Sequence, residues 1–423
     1  MIPIAVTRQC DVLVCGGGTA GVAAAVAAAR TGAKTVLLER YGFCGGICVG
    51  ALVHTLDGMR NCRDYSQIVV GGIGLELVNR LDAACGMAST VNPPECVTFN
   101  PESFKLVADD MLQESGVEVL YHLFAAGAVR DGSSLTAAIA AGKEGLWEIR
   151  ARQFVDCSGD GDLAAFAGAP YEKDGNMQTM SMHFRIGGIP AGLAWNGLER
   201  SARKAVDAAY AAGVCPKYGG PWFIRIREGE VTANCTRLYG DGTDTCDLSL
   251  AEREGRRDMV TILGILRETL PEFRNAFLLA AASQIGVRET RRILGDYQIT
   301  AQDVLAPTEW EDGIALGSWP IDIHPADGRV GVHPHKEDPP APYPIPFRCL
   351  TVRGVENLLT AGRCISATHQ AHGSTRVSGT AMAMGQAAGT AAALASAERH
   401  SIRQLPVAAL RDELLRVGAI LRL

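Results

Sequence analysis

No Cys-x-x-Cys pair occurs anywhere in the chain, although it holds 13 cysteines. That spacing is what zinc ribbons and iron–sulfur sites usually need, so no metal site is expected. The cysteines are odd in number and scattered, and no charged n-region with a long apolar stretch opens the chain. Reduced thiols in a cytoplasmic protein are the expectation. No apolar run reaches the roughly 18 residues of a membrane span. No basic excess exists either: the formal net charge is −6, which argues against a nucleic-acid partner. Aromatic residues are only 6% of the chain, while glycine contributes 48 of 423 residues. A chain of this length needs more than one simple core.

What is present begins near the first residues. Val12–Val14 is a short apolar strand, followed by Gly16-Gly17-Gly18-Thr19-Ala20-Gly21. An alanine-rich helix over residues 22–30 and a second apolar strand, Thr35–Leu38, come next, ending on Glu39. In this pattern Gly16 permits a tight turn, Gly18 admits a pyrophosphate, and Gly21 lets helix and strand pack closely. The helix N-terminus, at Thr19 and Ala20, offers free N–H groups to phosphate. Glu39 is placed to accept hydrogen bonds from a ribose diol. A dinucleotide site is therefore expected.

The segment after Glu39 narrows the ligand. Glu39-Arg40 is followed by the pair Gly45 and Gly46, and no charge interrupts residues 41–56. The pattern resembles two-domain flavoproteins, in which such glycines pass close to the FAD pyrophosphate and ribityl chain. The segment 152–170 reads as strand, glycine turn and helix, and resembles the segment that returns to the adenosine half. Residues 354–395 read as strand, Ala-Gly-Arg turn, loop and a long Ala/Gly/Met helix. With "GFCGG", "GDGDLA", "GVRETRRI" and "AGRCISATH…GQAAG", the chain resembles the FAD-dependent oxidoreductases of the glutathione-reductase structural class over nearly its whole length. "HGSTRVSGTAM" (372–382) resembles a motif of the fumarate reductase and succinate dehydrogenase flavoproteins whose arginine sits at the flavin face. Arg376 falls on it, and Thr375 and Thr380 replace two asparagines.

The resemblance implies an α/β fold. A Rossmann-like FAD-binding domain, with parallel sheet and β-meander, comprises residues 1–170 and 345–400. An inserted α+β substrate domain spans 171–344, and a terminal amphipathic helix, 401–423, is suited to a homo-oligomer contact. In the first domain a helix is expected over Pro101–Glu114. In the second, strands are expected within 179–188 and 283–300, helices over Leu198–Ala212 and Leu250–Leu270, and a loop with three histidines over 320–346. The resemblance places Gly16, Gly18, Thr19, Ala20, Gly21, Glu39, Arg40, Gly45, Gly46, Ala125, Ser158, Gly159, Asp162, Gly362, Arg363, Arg376, Val377, Gly379 and Thr380 at FAD. The helix after Gly379 would aim its positive end at the flavin.

FAD itself carries hydride or electrons, so the chain must supply position, charge and a proton path. Arg376 is the first candidate. His369 and His372 lie in the loop before the last helix, where a histidine is suited to acid–base work. His183 and Arg185 alternate on an expected strand and would share a face. Arg288 and Arg292, with Glu289 between them, are either cavity cations or a structural ion pair. Cys44, Cys48 and His54 allow a redox dithiol, a metal pair, a covalent flavin link or plain packing. Packing is the expectation, with His54 facing substrate.

Only one complete GxGxxG unit exists, so a second dinucleotide domain for NAD(P)H is not expected. The expected reaction is hydride transfer between FAD and a small polar or anionic molecule, by dehydrogenation or alkene reduction. An O2-using oxidase or monooxygenase is the alternative, as is a flavoprotein subunit of a larger complex.

Overall fold

A computed structural model describes residues 4–85, 96–173, 175, 177–325 and 339–423. His333 and His335 of the expected histidine loop lie outside the described residues. The central sheet has six strands in the order Thr351–Val352, Val355–Thr360, Gln153–Asp156, Val12–Cys15, Thr35–Glu39, Glu118–Tyr121. All neighbours are parallel except the first pair, which forms a hairpin.

Strands Val12–Cys15 and Thr35–Glu39 are buried on both faces, as parallel strands under two layers must be. Val12, Val14 and Leu37 face the helices. Leu13, Cys15, Val36 and Leu38 face a second sheet with Ala138, Ala140 and Ile149. That sheet is the expected meander, Phe124–Asp131, Ser134–Gly142 and Gly145–Arg150. The strand Ile4–Gln9 joins it in parallel with Gly145–Arg150. No such strand is legible in the sequence, because its residues are almost all exposed and carry no alternating pattern.

The abundance of Ala and Gly has its reason on the helical layer. Helix Thr19–Arg30 crosses helix Ser378–Glu398 with backbones in near contact. A Cβ at Gly385 would stand 2.1 Å from the Ala20 carbonyl oxygen, and one at Gly389 would stand 2.0 Å from that of Ala24. Gly385→Val should therefore cost about 3 kcal/mol or more, since backbone carbonyls cannot yield as side chains do. Urea unfolding checks this, and a loss below about 1 kcal/mol would contradict the packing.

Residues between the two halves build a cap. Its sheet is antiparallel, in the order Trp222–Ile224, Glu230–Asn234, Phe184–Gly187, Phe277–Ala281. Helices Trp195–Ala211 and Thr245–Thr269 supply its core, in which Val206, Ile262 and Leu266 meet Phe184, Ile186 and Phe273.

Three local expectations need correction. The stretch 283–300 holds one two-residue strand, Arg292–Ile293, and otherwise isolated bridges. Its polar residues bond in different directions: Arg288 to the Thr179 carbonyl, Thr290 to Asp160, Arg291 to Asp162. No face is left free to pair. His369 and His372 lie on a short helix, His369–Thr375, capped by Thr368, and not in a loop. The C-terminal stretch is a 3-10 turn, Ile402–Gln404, then helix Val407–Arg416. Pro406 precedes that helix and Gly418, at φ +84°, follows it. Its Leu410 and Leu414 pack on this chain's own core, while Leu415 stays exposed.

Candidate active site

The strand Val12–Cys15 ends in a turn that only glycine fits. Gly16 has φ +99°, and a Cβ there would meet the Cys157 carbonyl oxygen at 2.5 Å. A Cβ at Gly21 would lie 1.7 Å from the Gly16 carbonyl oxygen. Helix Thr19–Arg30 starts at Gly18 with no side-chain cap, so its first amides remain available. Glu39 is buried at the end of the next strand. It accepts from the Gly17 amide (2.7 Å) and the Tyr41 amide (2.9 Å), while burial pushes its carboxyl up from the usual range. Gly46 packs on Gly18: a Cβ on it would meet the Gly18 Cα at 2.9 Å. Gly45 donates its amide to the Gly17 carbonyl (2.7 Å). The glycine pair thus lies directly on the phosphate turn.

Across the turn, buried Asp156 accepts from the amides of Ser158 (3.0 Å) and Ala164 (2.9 Å). Burial raises its carboxyl to about 6. This bracket shapes the loop Ser158–Asp160, and Arg363 donates to Asp160 (2.7 Å).

Three hollows run end to end. The first is lined by Glu39, Arg40, Ala125, Ser158 and Asp162. The second, of about 730 Å³ with its open mouth, carries Gly16, Gly18, Thr19, Ala20, Gly46, Gly159, Gly362, Arg363 and Arg376. The third, about 700 Å³, shares Ile47, Arg363 and Arg376 with it and opens under the cap. Glycines where a Cβ would fill the passage, free helical amides and a ribose-distance carboxylate suit an extended dinucleotide.

Most residues expected at the cofactor line these hollows, but not all. Gly21 and Gly45 work behind the surface, in packing. Val377, Gly379 and Thr380 do not line the hollows; Ser378 and Ala381 do. Gly379 instead lies against the Asp57 carbonyl, where a Cβ would stand at 2.7 Å. Helical spacing would have pointed to Ser378 and Ala381, which share a face three residues apart. Tyr41 and Gln284 were also missed. Tyr41 Oη and Arg40 Nη2 both donate to the Gln284 side-chain oxygen, the latter at 3.0 Å, and tie the cap to the cofactor side. No short-range signal marks a bond between residues 244 positions apart.

The third hollow redistributes the histidines and arginines. His183 lines it, with Nδ1 3.2 Å from the Leu52 carbonyl oxygen. His324 lines it too, 3.0 Å from Asp322. Burial lowers both to about 3, so each is a neutral hydrogen-bonding group at neutral pH. His54 does not reach the hollow. It is fully buried beside Thr232 (3.3 Å), and burial lowers it to about 3. Arg185 pairs with Glu230 (2.8 Å) and does not line the hollow.

His369 and His372 also stand behind the wall. His369 Nδ1 lies 2.9 Å from Glu289. His372 is buried near Gln178 and lowered to about 3, chiefly by burial. Arg292, 1% exposed, pairs with Glu289 and does not line the hollow. Arg376 and Arg288 do line the hollow. Cys44 and Cys48 are buried, and burial raises the Cys44 thiol to about 12 and Cys48 further. A reactive thiolate needs the opposite shift. Among the described residues no group of three or more His, Cys, Asp or Glu could hold a metal ion.

A family model for FAD-dependent oxidoreductases matches residues 11–414. The chain belongs to that family, and it is an FAD-dependent enzyme. Its fold is similar to that of a flavin-dependent brominase, at 14% identity and TM-score 0.50, over 96% of this chain and 83% of that one. It also matches a geranylgeranyl bacteriochlorophyll reductase-like protein from Thermoplasma acidophilum, at 12% identity and TM-score 0.48, over 97% and 92%. A p-nitrophenol 4-monooxygenase from Pseudomonas putida matches at 12% identity and TM-score 0.43, over 96% and 83%. No helix among the described residues is long and apolar enough to cross a membrane.

Proposed function

We propose that the chain transfers a hydride between FAD and a small polar or anionic organic molecule held in the third hollow. The observation that carries this is the shared wall: Ile47, Arg363 and Arg376 line both the dinucleotide cleft and the cavity under the cap. A ligand in one would therefore touch a ligand in the other. In this reading, residues 1–170 and 345–400 hold FAD and residues 171–344 enclose the substrate, as in the glutathione-reductase class. FAD supplies the hydride chemistry when bound.

The residues then have separate jobs. The amides of Thr19 and Ala20 face the pyrophosphate, and Glu39 takes the ribose hydroxyls. Helix Ser378–Glu398 directs the positive end of 21 residues at the flavin end of the cleft. Arg376 donates to Asp322 (3.1 Å), which fixes its guanidinium at the junction of the two hollows. His183 and His324, being neutral, orient substrate and do not act as acid or base near neutrality.

The test is anaerobic. Purified holoprotein is mixed with small organic acids, alcohols and amines, and the visible flavin band is followed. At least one such compound should bleach it, or a small activated alkene should restore it after chemical reduction. Arg376→Ala should slow that step at least tenfold, about 1.4 kcal/mol. Turnover driven only by O2 chemistry, untouched by Arg376→Ala, would overturn the reading in favour of an oxidase or monooxygenase.

A further inference from the structure

Three guanidiniums meet around the third hollow, and their partners differ. Arg376 is matched by Asp322. Arg288 donates from Nη1 to the Thr179 carbonyl and the Ser181 hydroxyl, 2.8 Å each. Arg237 donates to the same Ser181 hydroxyl (3.1 Å), to the Thr236 carbonyl (2.8 Å) and to the Asn234 side chain (3.4 Å). It lies over the Trp222 ring, and its Nη2 is 3.4 Å from His324 Nδ1. Sequence reasoning did not single out Arg237.

Among the described residues, neither Arg288 nor Arg237 donates to a carboxylate. Their partners are neutral oxygens and an imidazole. Among the described residues, the acidic groups facing this hollow are Asp57 and Asp322. Arg363, which also lines it, is matched outside the hollow by Asp160. His183 and His324 are neutral, as above. Among the described residues, three guanidiniums thus oppose two carboxylates, and the excess is one positive charge. A buried cation without a counter-charge is costly, and a site that tolerates one is built for a ligand that supplies the charge. Arg288 lines the hollow and spends only Nη1 on the chain. Its Nε and Nη2 remain, the edge that takes a carboxylate through two parallel bonds.

We propose that the Ser181 end of the cavity binds the single carboxylate of a monoanionic substrate, gripped by Arg288 with Arg237 behind it. Arg376, already matched by Asp322, then faces the uncharged, reacting part. This rests on the reading of the third hollow as the substrate cavity. It adds that charge at one end selects the substrate: a dianion carries one charge too many and a neutral ester one too few.

One carbon skeleton in three charge states tests this. Succinate, monomethyl succinate and dimethyl succinate are titrated into the holoenzyme by calorimetry and by flavin difference spectra. The monoester should bind at least tenfold tighter than the other two. Arg288→Gln, which removes the charge, should erase that preference, and Arg237→Gln should reduce it with the fold checked by circular dichroism. Equal binding of all three, tighter binding of succinate or of the diester, or no binding at millimolar concentrations would overturn the proposal. The two levels separate cleanly. Monoester binding that leaves the flavin spectrum unchanged would sink the reading of the hollow as the substrate cavity. Bleaching of the flavin by a neutral compound would leave that reading intact and sink the monoanion alone.

Discussion

Gly18→Val yields a folded protein that does not retain FAD. The position separates the two properties because of where its Cβ would point. Among the described residues, apart from its chain neighbours, the only heavy atom within 4 Å of that Cβ is the Gly46 Cα, at 4.0 Å, and the backbone of Gly18 is in an ordinary extended conformation. The apoprotein therefore tolerates the side chain. The cleft does not, since Gly18 lines the hollow where the first turn of helix Thr19–Arg30 offers its amides. An isopropyl group there holds a phosphate off those donors. Overpacking of about 3 kcal/mol corresponds to a loss of about 150-fold in FAD affinity. Fluorescence titration of FAD into apoprotein measures it, and circular dichroism confirms the fold. Gly21→Val is the contrasting case: its Cβ would stand 1.7 Å from a carbonyl oxygen, so it loses the fold as well.

Acid should unfold the protein earlier than its carboxylates alone would dictate. His54, His183, His324 and His372 are each lowered by burial from 6.5 to about 3. The unfolded chain takes up those protons as pH falls through 6.5, and the native chain does not until about 3. Stability is therefore present above 6.5 and is lost as pH falls toward 3. Each such group contributes about 1.4 kcal/mol per pH unit inside that window. If all four contribute fully, the slope is about 5 kcal/mol per pH unit, and half that value is still a steep limb. Glu289 extends it. Its neighbours His369, His372 and Arg292 hold its carboxyl down at about 2 against burial, so its share is lost between 4.5 and 2. Calorimetric unfolding at pH 5 in buffers of different ionisation enthalpy counts the protons. The four histidines take up protons and Asp156, raised to about 6 in the native state, gives one back, so net uptake near three is expected. Uptake below one would mean that the histidines are solvated or paired differently.

The cofactor half of this molecule was legible because backbone geometry leaves a residue-type signature. Gly16 and Gly21 are glycine because a carbonyl occupies the place of a Cβ, and Glu39 follows at a distance set by one βαβ turn. The cap was less legible, because charge partners there are distant in sequence. Nothing near Arg185 announces Glu230, 45 positions on, and nothing near Arg376 announces Asp322. Arg292 was the exception, since Glu289 lies three residues before it. His372 reads as an acid–base candidate and His54 and His183 as substrate-facing groups from their chemistry, but burial, which sets their protonation, is a property of packing. Arg237 looks like any surface arginine until Ser181 and Arg288 are brought beside it.

The central claim is that the chain of hollows from Asp162 to Arg376 holds FAD. The visible spectrum of the purified protein, before and after acid precipitation, tests it most directly. The account predicts a flavin spectrum with all colour released to the supernatant, since Cys44, Cys48 and His54 are walled off from the cleft. A colourless protein that takes up no added FAD would contradict it.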